Sequence, residues 1–151
     1  MEATLTQSHE PTLAPTRSQS KRRLVMGHAL SAVAVSFLLF DSVIKIVKIA
    51  PVVESFEQLG YSPAIAREIG WLELACLVLY VLPRTAPLGA VLLTGFLGGA
   101  IATHVRVGDP LFSHVLFPVY MGVLLWGGLF LRDERPRALF RAPSQANARA
   151  A

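Results

Sequence analysis

The chain has 151 residues, of which 53% are hydrophobic and 16% charged, with a formal net charge of +4 and a mean hydropathy of +0.51. A soluble domain of that size and composition would expose far too much apolar surface, and one domain's length leaves no room for a second folded unit beside the apolar stretches. The single Cys76 rules out an internal disulfide or a dithiol relay within the chain.

Residues 1–20, rich in Ser, Thr and Pro, lack apolar periodicity and are expected to form a disordered cytoplasmic tail. Lys21, Arg22 and Arg23 then precede an apolar run from Leu24 to Ile44. The pattern begins like a secretory signal, but the run is too long and reaches Lys45 and Lys48 without a small-x-small cleavage site, so it reads as an uncleaved first span of about residues 24–47. Between Pro51 and Gly60, Val52, Val53, Phe56 and Leu59 share one helical face while Glu54, Glu57 and Gln58 share the other, which predicts a short interfacial helix covering the outer surface.

Ser62 before Pro63 is an N-cap followed by proline at the first helical position, opening a second span over 63–82. Pro83 to Pro87 makes a tight turn into a third span over 87–107. Gly108 is its left-handed stop, and Asp109 before Pro110 repeats the cap arrangement for a fourth span over 110–131. Connections this short predict an all-α protein, a membrane four-helix bundle of up-down-up-down order occupying residues 21–135. Residues 136–151, with spaced Ala and Arg, are expected to be a second disordered cytoplasmic tail.

Basic residues follow this topology. Arg17, Lys21, Arg22, Arg23, Arg84, Arg132, Arg135, Arg137, Arg141 and Arg149 lie on one side, and Lys45, Lys48, Arg67 and Arg106 on the other. The positive-inside rule places both termini in the cytoplasm of a cell with the protein in its inner membrane, and the bilayer rather than nucleic acid becomes the partner of the charge. Gly95, Gly98 and Gly99 form small-residue pairs at helical spacing and are expected to pack the third helix against its neighbours, with a homo-oligomer contact as the alternative. Tyr61, Trp71, Tyr80 and Trp126 lie near span ends or on intermediate turns, which suits interfacial anchoring for some of them.

Chemistry would fall to the polar residues inside or at the ends of the spans. Asp41 and Lys45 are four apart on the first helix, which pairs them and lets the lysine snorkel to the surface. Glu73 stands near the middle of the second span, where an ionised group costs roughly 2.5 to 3.5 kcal/mol on insertion scales and needs a partner. Thr94 or Thr103 would serve for a neutral carboxyl. The hairpin brings His104 and His114 to similar depth, so Asp41, Glu73, His104 and His114 converge in the outer half of the bundle with Lys45 and Arg106 above them. Two imidazoles beside a carboxylate fit a metal or bis-His haem, but no H-E-x-x-H, E-x-x-H or C-x-x-C motif accompanies them, and a metal is not expected. Pro118 cannot donate to the His114 carbonyl, which then needs another partner. A phosphate-binding glycine loop and a hydrolytic triad are both missing.

From Phe37 to Arg132 the chain resembles the DoxX-like family of small four-span bacterial membrane proteins. The resemblance is carried by the segment Phe37-Leu-Leu-Phe-Asp-Ser-Val-Ile-Lys45, by Leu59-Gly-Tyr61 and by Leu82-Pro-Arg-Thr85. The long element Leu92-Leu-Thr-Gly-Phe-Leu-Gly-Gly-Ala-Ile-Ala-Thr-His-Val-Arg-Val-Gly-Asp-Pro110 is the most specific part, and Val123-Leu-Leu-Trp-Gly-Gly-Leu-Phe-Leu-Arg-Asp133 closes it. Ser42 stands where glycine is usual after the aspartate. The family takes its name from a subunit linked to thiosulfate oxidation with quinone as acceptor. The resemblance therefore implies an accessory component of a membrane redox or oxidative-stress system, working beside other redox subunits and taking a lipophilic ligand such as quinone. It carries over no catalytic motif and implies no catalysis by the isolated chain. A proton-coupled permease using Glu73 and a structural assembly factor are the competing expectations.

Overall fold

The computed structural model describes residues 17–140, and every regular element among them is helical. Helix α1 runs Arg17–Val47, α2 Ala50–Gln58, α3 Ala66–Val81, α4 Ala86–Val107, α5 Phe117–Arg132 and α6 Arg135–Phe140. A 3-10 turn, Pro63–Ile65, leads into α3, and a π-helical turn, Leu111–Val115, leads into α5. Two boundaries differ from expectation: α1 is already helical at Arg17, and α6 runs to Phe140 where a tail from residue 136 was expected. The remaining tail residues, 1–16 and 141–151, lie outside the described residues.

Three stretches, Lys21–Val47, Ala86–Val107 and Leu111–Arg132, are long and apolar enough to cross a membrane. With large side chains such as Phe40, Leu88 and Val123 exposed on their outer faces, they are the helices of a membrane protein. The remaining expected span, α3, is shorter than these stretches, at 16 residues or about 24 Å at the helical rise.

α1 packs on α3 and α5, α3 on α4, and α4 on α5. The face of α1 turned inward reads Gly27, Ser31, Ala34, Leu38 and Ser42, a spacing of three and four that puts one stripe against the neighbours. Tyr80, Leu93, Leu125 and Leu129 fill the centre. Tyr80, expected at an interface, is fully buried. Its hydroxyl donates to the Leu125 carbonyl at 2.8 Å and meets Ser31 Oγ at 2.9 Å, so three helices share one polar knot.

Glycines do set the closest approaches, but not those expected. A Cβ on Gly89 would lie 2.2 Å from Tyr80 N, and one on Gly128 would lie 2.3 Å from Ser31 Oγ and 2.8 Å from Ser31 N. Gly27 and Gly70 are similarly tight. Gly95, Gly98 and Gly99 have nothing within 4 Å of such a Cβ. The expectation that they pack helices within the chain is corrected, because their side of α4 faces open space.

The punctuation matches in part. Ser62 Oγ accepts from Ala64 N at 3.3 Å, and Gly108 ends α4 in the left-handed conformation with φ 76°. Asp109 is not an N-cap; its carboxylate turns back to His104 instead. The fourth segment opens as a wider π turn rather than an α-helix, and α-helical bonding resumes only around Pro118, which cannot donate a backbone hydrogen.

α2 matches its expected face. Val52 and Phe56 are buried against Ala66, Ile44 and Ile69, while Glu54, Glu57 and Gln58 are exposed. Left-handed residues turn the chain on either side of it, Lys48 at φ 57° and Gly60 at φ 74°.

Candidate functional site

A cavity of about 560 Å³ opens between α1, α3, α4 and the π turn, beneath α2. Its size falls in the range typical of small-molecule sites. Phe37, Leu38, Phe96, Phe117 and Met121 give it apolar walls, and Asp41, Lys45, Thr103, His104, Ser113 and His114 supply polar ones. α2 and the residues after it contribute Ser55, Phe56, Leu59 and Tyr61 above.

At one pole, Lys45 Nζ lies 2.6 Å from Asp41 Oδ2 and 2.9 Å from Glu73 Oε2, and 5.3 Å from the centre of the Phe96 ring. The one-turn spacing on α1 makes the first pair. The second depends on Gly70, whose missing side chain lets α3 rest against Ser42, Lys45 and Ile46 one turn below Glu73. Glu73 is fully buried, and its Oε1 has no hydrogen-bond partner. It stands behind Lys45 rather than in the cavity wall.

That arrangement corrects two expectations. The partner of Glu73 is Lys45, not a threonine: Thr94 Oγ1 donates to Ala90 O and accepts from Trp126, while Thr103 Oγ1 donates to Gly99 O and meets Tyr61. Lys45 is also not a lysine reaching outward to water, since its ammonium is shared by two carboxylates from different helices. One cation between two acidic groups leaves an excess negative charge, or a place for a proton, at the pole. Removing the shared cation from such a buried pair typically costs about 3 to 5 kcal/mol.

At the other pole His104 Nδ1 lies 2.6 Å from Asp109 Oδ2, and the His104 and His114 rings meet edge to face with centres 5.6 Å apart. His114 Nδ1 lies 2.8 Å from Ser113 Oγ. The hairpin between α4 and the π turn thus brings the two imidazoles together. Among the described residues no group of three or more His, Cys, Asp or Glu side chains is arranged to hold a metal ion.

Of the six candidate side chains, Asp41, Lys45, His104 and His114 line one cavity, and Glu73 joins them through Lys45. Arg106 does not line it. Its guanidinium donates to the Leu59 carbonyl and sits 5.5 Å from the Tyr61 ring centre, so it fastens the far end of α2 to α4. Tyr61 adds a second tie to Thr103 at 3.1 Å. Sequence reasoning missed Asp109 and Ser113 as site residues. The available signal for Asp109 was its place one residue beyond a left-handed glycine and five beyond a histidine.

The sequence profile of the DoxX-like family matches residues 29–128, two thirds of the chain and every residue that lines the cavity. The chain belongs to the DoxX-like family. The match includes Asp41, Lys45, Glu73, His104, Asp109 and His114, so the charged pole and the histidine pole both lie within the family region. No curated protein and no solved structure matches this DoxX-like chain.

Proposed function

We propose that this DoxX-like protein spans the inner membrane four times with both termini cytoplasmic, and binds a small amphiphilic molecule in its cavity as an accessory component of a membrane redox or stress-response system. Quinone is the leading example of such a ligand. The observation that carries this reading is the cavity itself: aromatic and aliphatic walls from Phe37, Phe96, Phe117 and Met121, with hydrogen-bonding groups at two separated poles. Apolar clefts with a few convergent polar groups are the usual form of a small-molecule site.

The fourth span is supported by length. The 3-10 turn adds about 6 Å to the roughly 24 Å of α3, which reaches the thickness of the hydrocarbon layer. Orientation is supported by charge. Arg135 donates to the Pro83 and Arg84 carbonyls and Arg132 to that of Tyr80, which gathers Arg84, Arg132, Arg135 and Arg137 at one end of the helices with Lys21, Arg22 and Arg23. Positive-inside places that end in the cytoplasm and α2 on the outer side.

The test is saturable binding of a decyl-substituted benzoquinone to the detergent-purified protein, followed by equilibrium dialysis. Wild type binds. Phe117→Ala, which strips one aromatic wall, weakens binding about tenfold, since a lost aromatic contact costs on the order of 1.5 kcal/mol. Binding no stronger than to empty micelles overturns the reading.

A second reading rests on the enclosed Glu73 with its unpartnered Oε1: a proton-coupled carrier in which Lys45 links that carboxyl to Asp41 at the cavity wall. Proteoliposome uptake lost in Glu73→Gln would favour it, and unchanged flux would remove it.

A further inference from the structure

Gly108 ends α4 in the left-handed conformation, and the chain then folds back so that Asp109 is tied twice to the same residue. The Asp109 backbone N–H donates to the His104 carbonyl at 3.1 Å, and its carboxylate lies 2.6 Å from His104 Nδ1. Asp109 sits between the two apolar stretches, in the turn that joins them. An ionised carboxylate only accepts, so the hydrogen of that contact belongs to His104 Nδ1. In the neutral imidazole the other nitrogen, Nε2, is then an acceptor. Among the described residues nothing hydrogen-bonds Nε2, and His104 lines the cavity.

We infer that Asp109 is a positioning residue that holds His104 in the Nδ1–H form, and that the cavity thereby selects an aromatic molecule carrying a hydroxyl, which donates to His104 Nε2. This rests on the reading of the cavity as a ligand site and names the class of its ligand. The aromatic ring is called for by Phe37, Phe96 and Phe117, the last two on the elements that carry or adjoin the histidines. The charged groups that share the cavity are Asp41 and Lys45 on α1, with Glu73 behind them on α3; His114 lies against His104 from the π turn. The two carboxylates at the other pole are already engaged by Lys45, whereas His104 Nε2 is an acceptor on the cavity wall with no such partner among the described residues. The two forms of a quinone couple differ here: a quinol hydroxyl can donate to Nε2, while an oxidised quinone, whose oxygens only accept, binds without that bond and more weakly.

A matched pair of probes separates donor from shape: 4-hexylphenol and its methyl ether, titrated into the full-length protein in detergent at pH 8, above the ordinary imidazole range. Wild type binds the phenol about tenfold more tightly than the ether, the worth of one hydrogen bond with its desolvation. In Asp109→Asn the amide can donate to Nδ1, which moves the hydrogen to Nε2. The preference then collapses to within about twofold while binding of the ether is retained or improved, whereas a merely structural role would weaken both probes alike. Nitrogen-15 NMR of the His104 ring in the wild-type protein reports the tautomer directly, and keeps the inference testable if Asp109→Asn does not fold. Equal binding of both probes by wild type, or an Nε2–H tautomer, overturns the inference and leaves the cavity reading standing. Binding of neither probe, together with no quinone binding, overturns the cavity reading itself.

Discussion

At the end of the helices that carries Arg84, Arg132 and Arg135, backbones meet at glycine; at the α2 end, charged and aromatic side chains stand back around a cavity. Gly27 and Gly128 let α1 and α5 touch, and Gly89 lets α4 rest on the backbone of Tyr80. Arg135 then ties Pro83 and Arg84 to Asp133 across the turn. The other end has a different economy. Gly70 is its one close approach, and it serves to bring Glu73 to Lys45 rather than to close the bundle. One end of the molecule is built to hold helices together, and the other uses that rigidity to keep polar groups apart around a space.

The contrast can be broken at the charged pole first. Lys45→Met leaves Asp41 and Glu73 facing each other without their cation, and thermal denaturation in detergent should show a loss of about 3 to 5 kcal/mol. Adding Asp41→Asn and Glu73→Gln to that variant should restore most of the loss, because the uncompensated charges are gone. Gly89→Ala attacks the packed end. Its Cβ would meet Tyr80 backbone at 2.2 Å, which cannot give way, so the expected loss is about 3 kcal/mol. Gly98→Ala, on the open side of α4, should stay within about 1 kcal/mol of wild type and is as free to stabilise as to harm.

Tyr80→Phe sharpens the same comparison at a smaller scale. It leaves the Leu125 carbonyl and Ser31 hydroxyl without their partner inside the packed region, for a loss of about 1 to 3 kcal/mol in the same melt. The smallest effect belongs to Asp133. Hydrogen bonds from Arg135 hold its carboxyl below the usual carboxylate range. A depressed folded value means the contribution is fully present above the ordinary aspartate range and is lost as pH falls through the folded value. Asp133→Asn should therefore lower the melting temperature slightly at pH 7 and not at all in strong acid.

Local chemistry made much of this legible in the sequence. The apolar stretches, the turn at Pro83, the stop at Gly108 and the buried face of α2 each follow from residues near one another in the chain. The Asp41–Lys45 pair follows from helical spacing in the same way. What escaped was set by rotation and depth between helices. Glu73 and Lys45 are 28 residues apart, and only the close seating of α3 on α1 at Gly70 joins them. Gly95, Gly98 and Gly99 follow a helix-packing spacing yet meet no neighbouring helix, Gly95 and Gly99 bordering the cavity, while the seams run through Gly27, Gly89 and Gly128. Asp109 resembled a cap because an aspartate before proline usually is one, and the π turn moved the first helical amides elsewhere.

Gly99 lines the cavity and has nothing within 4 Å of an added Cβ, so Gly99→Leu puts bulk into the space from a position with room for its Cβ. The direct measurement is the dissociation constant of the decyl-substituted benzoquinone for wild type and Gly99→Leu, with melting temperatures taken on the same samples. An unchanged melt with binding weakened at least tenfold is the predicted result. Equal binding by a folded Gly99→Leu protein would contradict the claim that this cavity is where the ligand sits.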